Sequence, residues 1–165
     1  MFTTVNDFLQ EWKQEAAVTQ KVLDALTDES LKQEVAPDLY SIGSVAWHVT
    51  GATYYFPAQL GITFEVPDLR KVAPTSASEI SETYKIVSAR LSEAVSEQVS
   101  DEKMNEMVNL FGMDMSVQAV FRLLIQHQAH HRGQLTVLMR QAGLKVPGVY
   151  GPSKEESEAM NAQKS

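Results

Sequence analysis

The chain has 165 residues, a length that predicts one domain able to bury roughly two-thirds or more of its unfolded surface. It is 44% hydrophobic and 21% charged, and it contains no cysteine. That excludes a disulfide framework, thiolate metal ligation and a thiol nucleophile of the chain's own. The net charge is -7, with 14 basic residues scattered among 21 acidic ones, which argues against nucleic acid as a partner because phosphates demand clustered Lys and Arg.

The opening residues Met1-Phe2-Thr3-Thr4-Val5-Asn6-Asp7 lack the basic, apolar, small-residue order of a signal peptide. No window approaches about 18 uncharged apolar residues. A cytoplasmic protein with no membrane partner is expected.

Four stretches carry the 3.6-residue period of an amphipathic helix. The first places Val5, Phe8, Leu9, Trp12, Ala16, Thr19, Leu23 and Leu26 on one face, and Pro37 closes the connection that follows. The second runs from about Ser41 to Leu60, with Ile42, Val45, Val49, Ala52 and Phe56 as its stripe and His48, Tyr55 and Gln59 along one border. Gly51 leaves room there for a close approach, Pro57 is expected to kink the last turn, and Gly61 ends it. An extended connection passes through Thr63 to Pro74.

The third opens at Ser76-Ala77-Ser78-Glu79, which has capping-box spacing, and continues through Ile80, Tyr84, Val87, Leu91, Ala94 and Val95. From Asp101 to Asp114 the period breaks, and a short hairpin about Gly112 is expected. Met104 to Met115 is dense enough in methionine to form an adaptable apolar surface at a pocket or subunit contact, with core filling as the default. The fourth starts near Ser116 and stops before Gly143, a left-handed C-terminal glycine with Pro147 soon after. The tail reads as loop with a short polar helix from Ser153. These elements predict an all-α four-helix bundle over residues 1–165, with a long connection between helices two and three and a short C-terminal segment.

The chemistry sits in the histidines. Residues 125–134 hold three of the chain's four, and His48 lies on the second helix. Residues four apart share a helix face. On a wheel starting at Val117, the apolar stripe of the fourth helix centres on about 340°, His131 falls at about 320°, His127 at about 280° and His130 at about 220°. His127 and His131 are therefore a pair facing the core, and His130 is a surface group. A third imidazole from His48 completes a three-histidine site with coordination positions left open. A lone core-facing histidine is more often a hydrogen-bonded structural residue. Two stacked on one face raise each other's cost of protonation, and a metal satisfies both.

Near the site, Gln128 at about 20° lies on the core side, either contacting a bound molecule or packing at a helix border. Tyr55 is two turns beyond His48 and could present its hydroxyl to the cavity. Gly133 permits close helix approach, while Arg132 and Gln134 point toward the exposed face for surface pairing or a subunit contact. Trp12 and Trp47 are core or interface aromatics.

Ile42-Gly43-Ser44-Val45-Ala46-Trp47-His48, His127-Gln128-Ala129-His130-His131-Arg132-Gly133-Gln134 and the stretch from Gly143 to Gly148 resemble the DinB family of four-helix-bundle metalloproteins, over nearly the whole chain. The resemblance implies a metal on His48, His127 and His131, the same pair the wheel selects plus the upstream arm. It also implies a fold shared with thiol-dependent enzymes such as mycothiol-dependent maleylpyruvate isomerase and bacillithiol S-transferases, and a homodimer. The expected function is a divalent-metal-dependent enzyme of the thiol S-transferase or hydrolase type, acting on a small molecule or thiol. Zn is the expected ion for an all-nitrogen site, with Ni, Fe or Mn as alternatives, and an external low-molecular-weight thiol is a candidate cosubstrate. The competing expectation is a non-catalytic, stress-associated dimer in which the ion ties two helices together.

Overall fold

Every long helix begins at a serine or threonine whose side-chain oxygen accepts an otherwise orphaned backbone N–H, the arrangement that starts helices most economically in sequence. A computed structural model of the chain describes residues 2–163. Thr4 caps α1 (Val5–Asp24), Ser41 caps α2 (Ile42–Gln59), Ser76 caps α3 (Ala77–Gln98) and Ser116 caps α4 (Val117–Gln141). Ser153 caps the short α5 (Lys154–Ala162). The Ser76 box is half made: Ser76 Oγ accepts from Glu79 N–H, but the Glu79 carboxylate turns to Lys71 Nζ at 2.6 Å instead of reaching back.

Helices α2 and α4 stop the same way. Gly61 and Gly143 take φ of +74° and +75°, and the following residues return N–H groups five positions back, Ile62 to Pro57 O and Leu144 to Met139 O. A residue with a Cβ is strained at such angles. Pro57 lies inside the last turn of α2, which continues to Gln59.

Helix α1 packs on α3 and α4, and α2 packs on the same two, so the consecutive helices α1 and α2 sit on a diagonal. The connection between them carries a 3-10 turn, Ser30–Lys32, against which Gly43 packs so closely that a Cβ would lie 3.2 Å from Leu31 O. Between α3 and α4, a 3-10 turn at Lys103–Asn105 leads into an antiparallel hairpin, β1 (Met107–Leu110) and β2 (Met113–Ser116), with Leu110 opposite Met113. The expected methionine surface divides: Met104 is buried in the core, whereas Met107 and Met113 are exposed on the hairpin.

The core has two apolar halves. At one end Val22, Leu23, Ile42, Val45, Ile80, Val87, Leu135 and Leu138 pack together. At the other end Phe8, Trp12, Leu91, Val95, Met104, Val120, Phe121 and Leu124 do so, with the Phe8 and Phe121 rings stacked 4.2 Å apart. Between the two lies a buried polar layer. Gln128 is 0% exposed, its Nε2 donating to Val49 O and Thr53 Oγ1 at 3.1 Å and its Oε1 3.2 Å from the hydroxyls of Thr19 and Tyr84. One turn on, Arg132 donates to Glu15 O at 3.0 Å and Thr19 Oγ1 at 2.9 Å, and pairs with the Glu15 carboxylate and the Tyr150 hydroxyl.

This corrects the expectation for Arg132, which is 1% exposed. The buried arc of α4 is wider than the sequence stripe, because Ile125 and Met139 are also buried. They sit at about 80° and 40°, and Arg132 at about 60° falls between them. Its burial is tolerated because Glu15 neutralises it and most of its donors are paired.

Candidate metal centre

Helix α2 brings one imidazole to the site and α4 brings two. The packing of these two helices sets His48 against residues 79 positions later in the chain. His48 Nε2 lies 3.0 Å from His127 Nε2, and His131 Nε2 lies 3.2 Å from the same atom. The ring centroids are 4.4 to 4.9 Å apart, and one nitrogen from each ring falls within 4.8 Å of the others. Among the described residues, no Asp, Glu or further His joins the cluster. His130 is exposed, on the far side of His131.

The donor set fits a divalent ion. Two imidazole nitrogens that each sit about 2.0–2.1 Å from one ion are separated by about 2.9 Å at a right angle and about 3.4 Å at the tetrahedral angle. The observed 3.0 and 3.2 Å lie in that interval. Protonation works against the cluster. Burial and then the neighbouring imidazoles push His127 down to about 4, and burial also lowers His48 and His131. At neutral pH the three rings are therefore uncharged, the form that ligates.

Each ring is held differently. His131 Nδ1 lies 2.7 Å from Gln134 Oε1. With that oxygen accepting, the proton sits on Nδ1 and the Nε2 lone pair faces the other two rings. His127 Nδ1 is buried without a hydrogen-bond partner, and its ring packs against Phe56 at 5.2 Å between centroids. His48 projects from an otherwise buried stretch of α2 and is the most exposed of the three.

The neighbouring residues divide. Gln134, expected at the surface for pairing or a subunit contact, is exposed but orients His131; at about 260° on the wheel it shares the flank of His127, and its i+3 spacing from His131 was the readable signal. Gln128 does not reach the site, since both ends of its amide are engaged in the core. Gly133 has nothing within 4 Å of a Cβ position, so no helix approaches it. The approach at Gly51 is made by Tyr55 of the same helix, whose ring would lie 3.1 Å from a Cβ. Tyr55, 39% exposed, borders a cavity of about 580 Å³ beside His48.

Comparison with known proteins gives a consistent picture. The model of the DinB family matches residues 1–164. YrdA of Bacillus subtilis (strain 168), an uncharacterized protein, is 46% identical over 156 residues, covering 94% of this chain and 93% of that protein. Among solved structures, a DinB-like protein from Bacillus cereus ATCC 10987 is 45% identical with a TM-score of 0.86, over 91% of this chain and all of the other. YfiT from Bacillus subtilis, described as a probable metal-dependent hydrolase with an unusual four-helix bundle topology, shares the fold at 14% identity, with a TM-score of 0.63 over 86% of this chain and 89% of that one. Among the described residues, no helix is long and apolar enough to cross a membrane.

Proposed function

The chain belongs to the DinB family, and on that premise we propose that it is a divalent-metal-dependent enzyme that activates water or an external thiol against a small-molecule substrate. The observation that carries this reading is the convergence of three imidazoles with, among the described residues, no Asp, Glu or further His beside them. Structural zinc sites close with four protein ligands, whereas catalytic sites keep a position open. Bound there, a divalent ion would supply Lewis acidity, lowering the pKa of a water or thiol placed against it.

The chain's own residues define the rest. His48, His127 and His131 hold the ion, with Zn as the expected occupant and Ni, Fe or Mn as alternatives. Gln134 fixes the tautomer and orientation of His131. Phe56 shields His127 from water on one side. With no cysteine in the sequence, a thiol has to come from outside. Hydrolysis is supported by the description of the YfiT neighbour, and thiol transfer by the family resemblance. A homodimer belongs to the same proposal.

Metal analysis of the purified chain beside His48→Ala, His127→Ala, His131→Ala and His130→Ala tests it. The expected result is one ion per chain in the parent and in His130→Ala, with affinity lowered by more than about a hundredfold in the other three. Equal metal in all five proteins would remove the reading. Titrating a Co-substituted sample with low-molecular-weight thiols then separates an open site, whose ligand-field spectrum shifts, from a closed one.

A further inference from the structure

The wall of the cavity beside His48 is aromatic and carries no charge. It is formed along one face of α2, by Trp47, Gly51, Ala52, Tyr55 and Phe56 among others, and by Phe111 from the tip of the β1–β2 hairpin. Among the described residues, no Asp, Glu, Lys or Arg lines it. Lys71 sits 5.7 Å above the Trp47 ring and is paired with Glu79 at 2.6 Å. Of its polar side chains, Trp47 Nε1 donates to Lys71 O at 3.0 Å and Ser44 Oγ serves the α2 cap, while Tyr55 and Gln59 contribute a neutral hydroxyl and amide. The cavity volume of about 580 Å³ lies in the usual range of small-molecule sites.

Phe111 adds an independent observation. It holds φ at +52°, beside Gly112 at +84°, in the two-residue turn that joins the strands. Turns of this kind favour Asn or Asp at the first position, and a left-handed backbone strains a residue with a Cβ. Asn109 braces the turn, its Oδ1 accepting from Gly112 N–H at 3.1 Å. The strained residue is a phenylalanine that is 75% exposed and stands at the edge of the cavity it helps to line. Its ring stands 6.5 Å from Phe56, which in turn packs on His127. An aromatic path thus runs from the hairpin tip to the histidines.

The geometry points to an uncharged substrate whose aromatic or bulky apolar group lies in this cavity, between the α2 aromatics and Phe111, with its polar reacting end at the three histidines. This rests on the metal-site reading above and specifies its substrate class. Anionic or cationic bodies are disfavoured because the wall offers no charged side chain to offset the loss of their hydration. Phe111 is a specificity-determining residue on this account: it closes the far side over the apolar group and does not touch the ion.

Hydroxamates bind divalent ions through one end and carry any group at the other, so they test the cavity without requiring the reaction. The full-length Co-substituted protein is titrated with acetohydroxamate, benzohydroxamate and succinate monohydroxamate, reading the ligand-field spectrum. Benzohydroxamate is expected to bind about tenfold or more tighter than either of the others, the scale of burying one ring face. In Phe111→Ala that preference should narrow about threefold or more, with the acetohydroxamate constant unchanged. Equal binding of benzo- and acetohydroxamate, tighter binding of the succinate compound, or an unaltered preference in Phe111→Ala overturns the inference. Failure of the metal reading looks different: cobalt would not be taken up one per chain, or would be taken up equally by His127→Ala. A cobalt spectrum that no hydroxamate perturbs would overturn the open site and the inference together.

Discussion

Two polar clusters lie back to back on the same two turns of α4, offset by one residue. On one side are His127 and His131 with His48; on the other are Gln128 and Arg132 with Glu15, Thr19, Tyr84 and Tyr150. The second cluster is nearly closed on itself: the Gln128 amide is fully engaged, and of Arg132 only Nε is buried without a partner. The first cluster is the reverse, with ring nitrogens that face one another at 3.0 and 3.2 Å and, among the described residues, no carboxylate joining them. Buried polar groups that satisfy each other specify a structure, while those that converge on a shared point are matched to something outside the chain.

The comparison can be broken most severely at Arg132. Arg132→Ala leaves the largely buried Glu15 carboxylate without its ion pair, and a loss of about 3–5 kcal/mol in unfolding free energy is expected by urea titration. Adding Glu15→Gln should recover part of it, since the uncompensated charge is the main penalty. The surviving folded fraction should still take up one metal ion per chain. Loss of metal in that fraction would mean that the two clusters are one unit.

Gln134→Ala sharpens the other side. It removes the acceptor that orients His131 and leaves the apolar halves of the core untouched. A decrease of about 10- to 100-fold in metal affinity, with unfolding in the presence of chelator unchanged, is the expected result. Gln134→Glu, which keeps an acceptor at the same reach, should restore most of the affinity. If Gln134→Ala bound metal like the parent, the hydrogen bond would be incidental.

The smallest effect concerns the tail behind the Arg132 cluster. Arg140 holds Glu155 down to about 2, well below an ordinary carboxylate. An acid with a depressed folded value contributes stability that is complete above its unfolded value, near 4.5, and is lost as pH falls toward about 2. Hydrogen exchange of α5, normalised for intrinsic rates, should therefore lose protection between about pH 5 and 2. Arg140→Gln should already show that loss at neutral pH. Protection that is independent of pH in the parent would show that the tie contributes nothing.

Much of the fold follows from local rules that act within a few residues. The Ser and Thr caps, Gly143 with its positive φ, the helix from Ser153 and the hairpin about Gly112 all show in the order of the side chains, because each depends on neighbours close in sequence. Helical phase likewise separates His127 and His131 from His130, since a rigid 3.6-residue period fixes which side chains share a face. The partner of a face is not fixed that way. Arg132 sits at the edge of the stripe, and only the presence of Glu15 on α1, 117 positions earlier, makes its burial affordable. Gln128 is on the core side by phase, yet whether it meets a ligand or four protein groups depends on α1, α2 and α3 all closing around it.

The sequence by itself determined the helices, their ends and the facing pair of histidines, because backbone hydrogen bonding and helical period are short-range. The tertiary structure decided the rest: that α1 and α2 lie on a diagonal, that His48 meets His127, that Arg132 is buried against Glu15, and that Phe111 walls the cavity. These depend on which helix faces pack together, and packing joins residues whose separation in the chain carries no local signal.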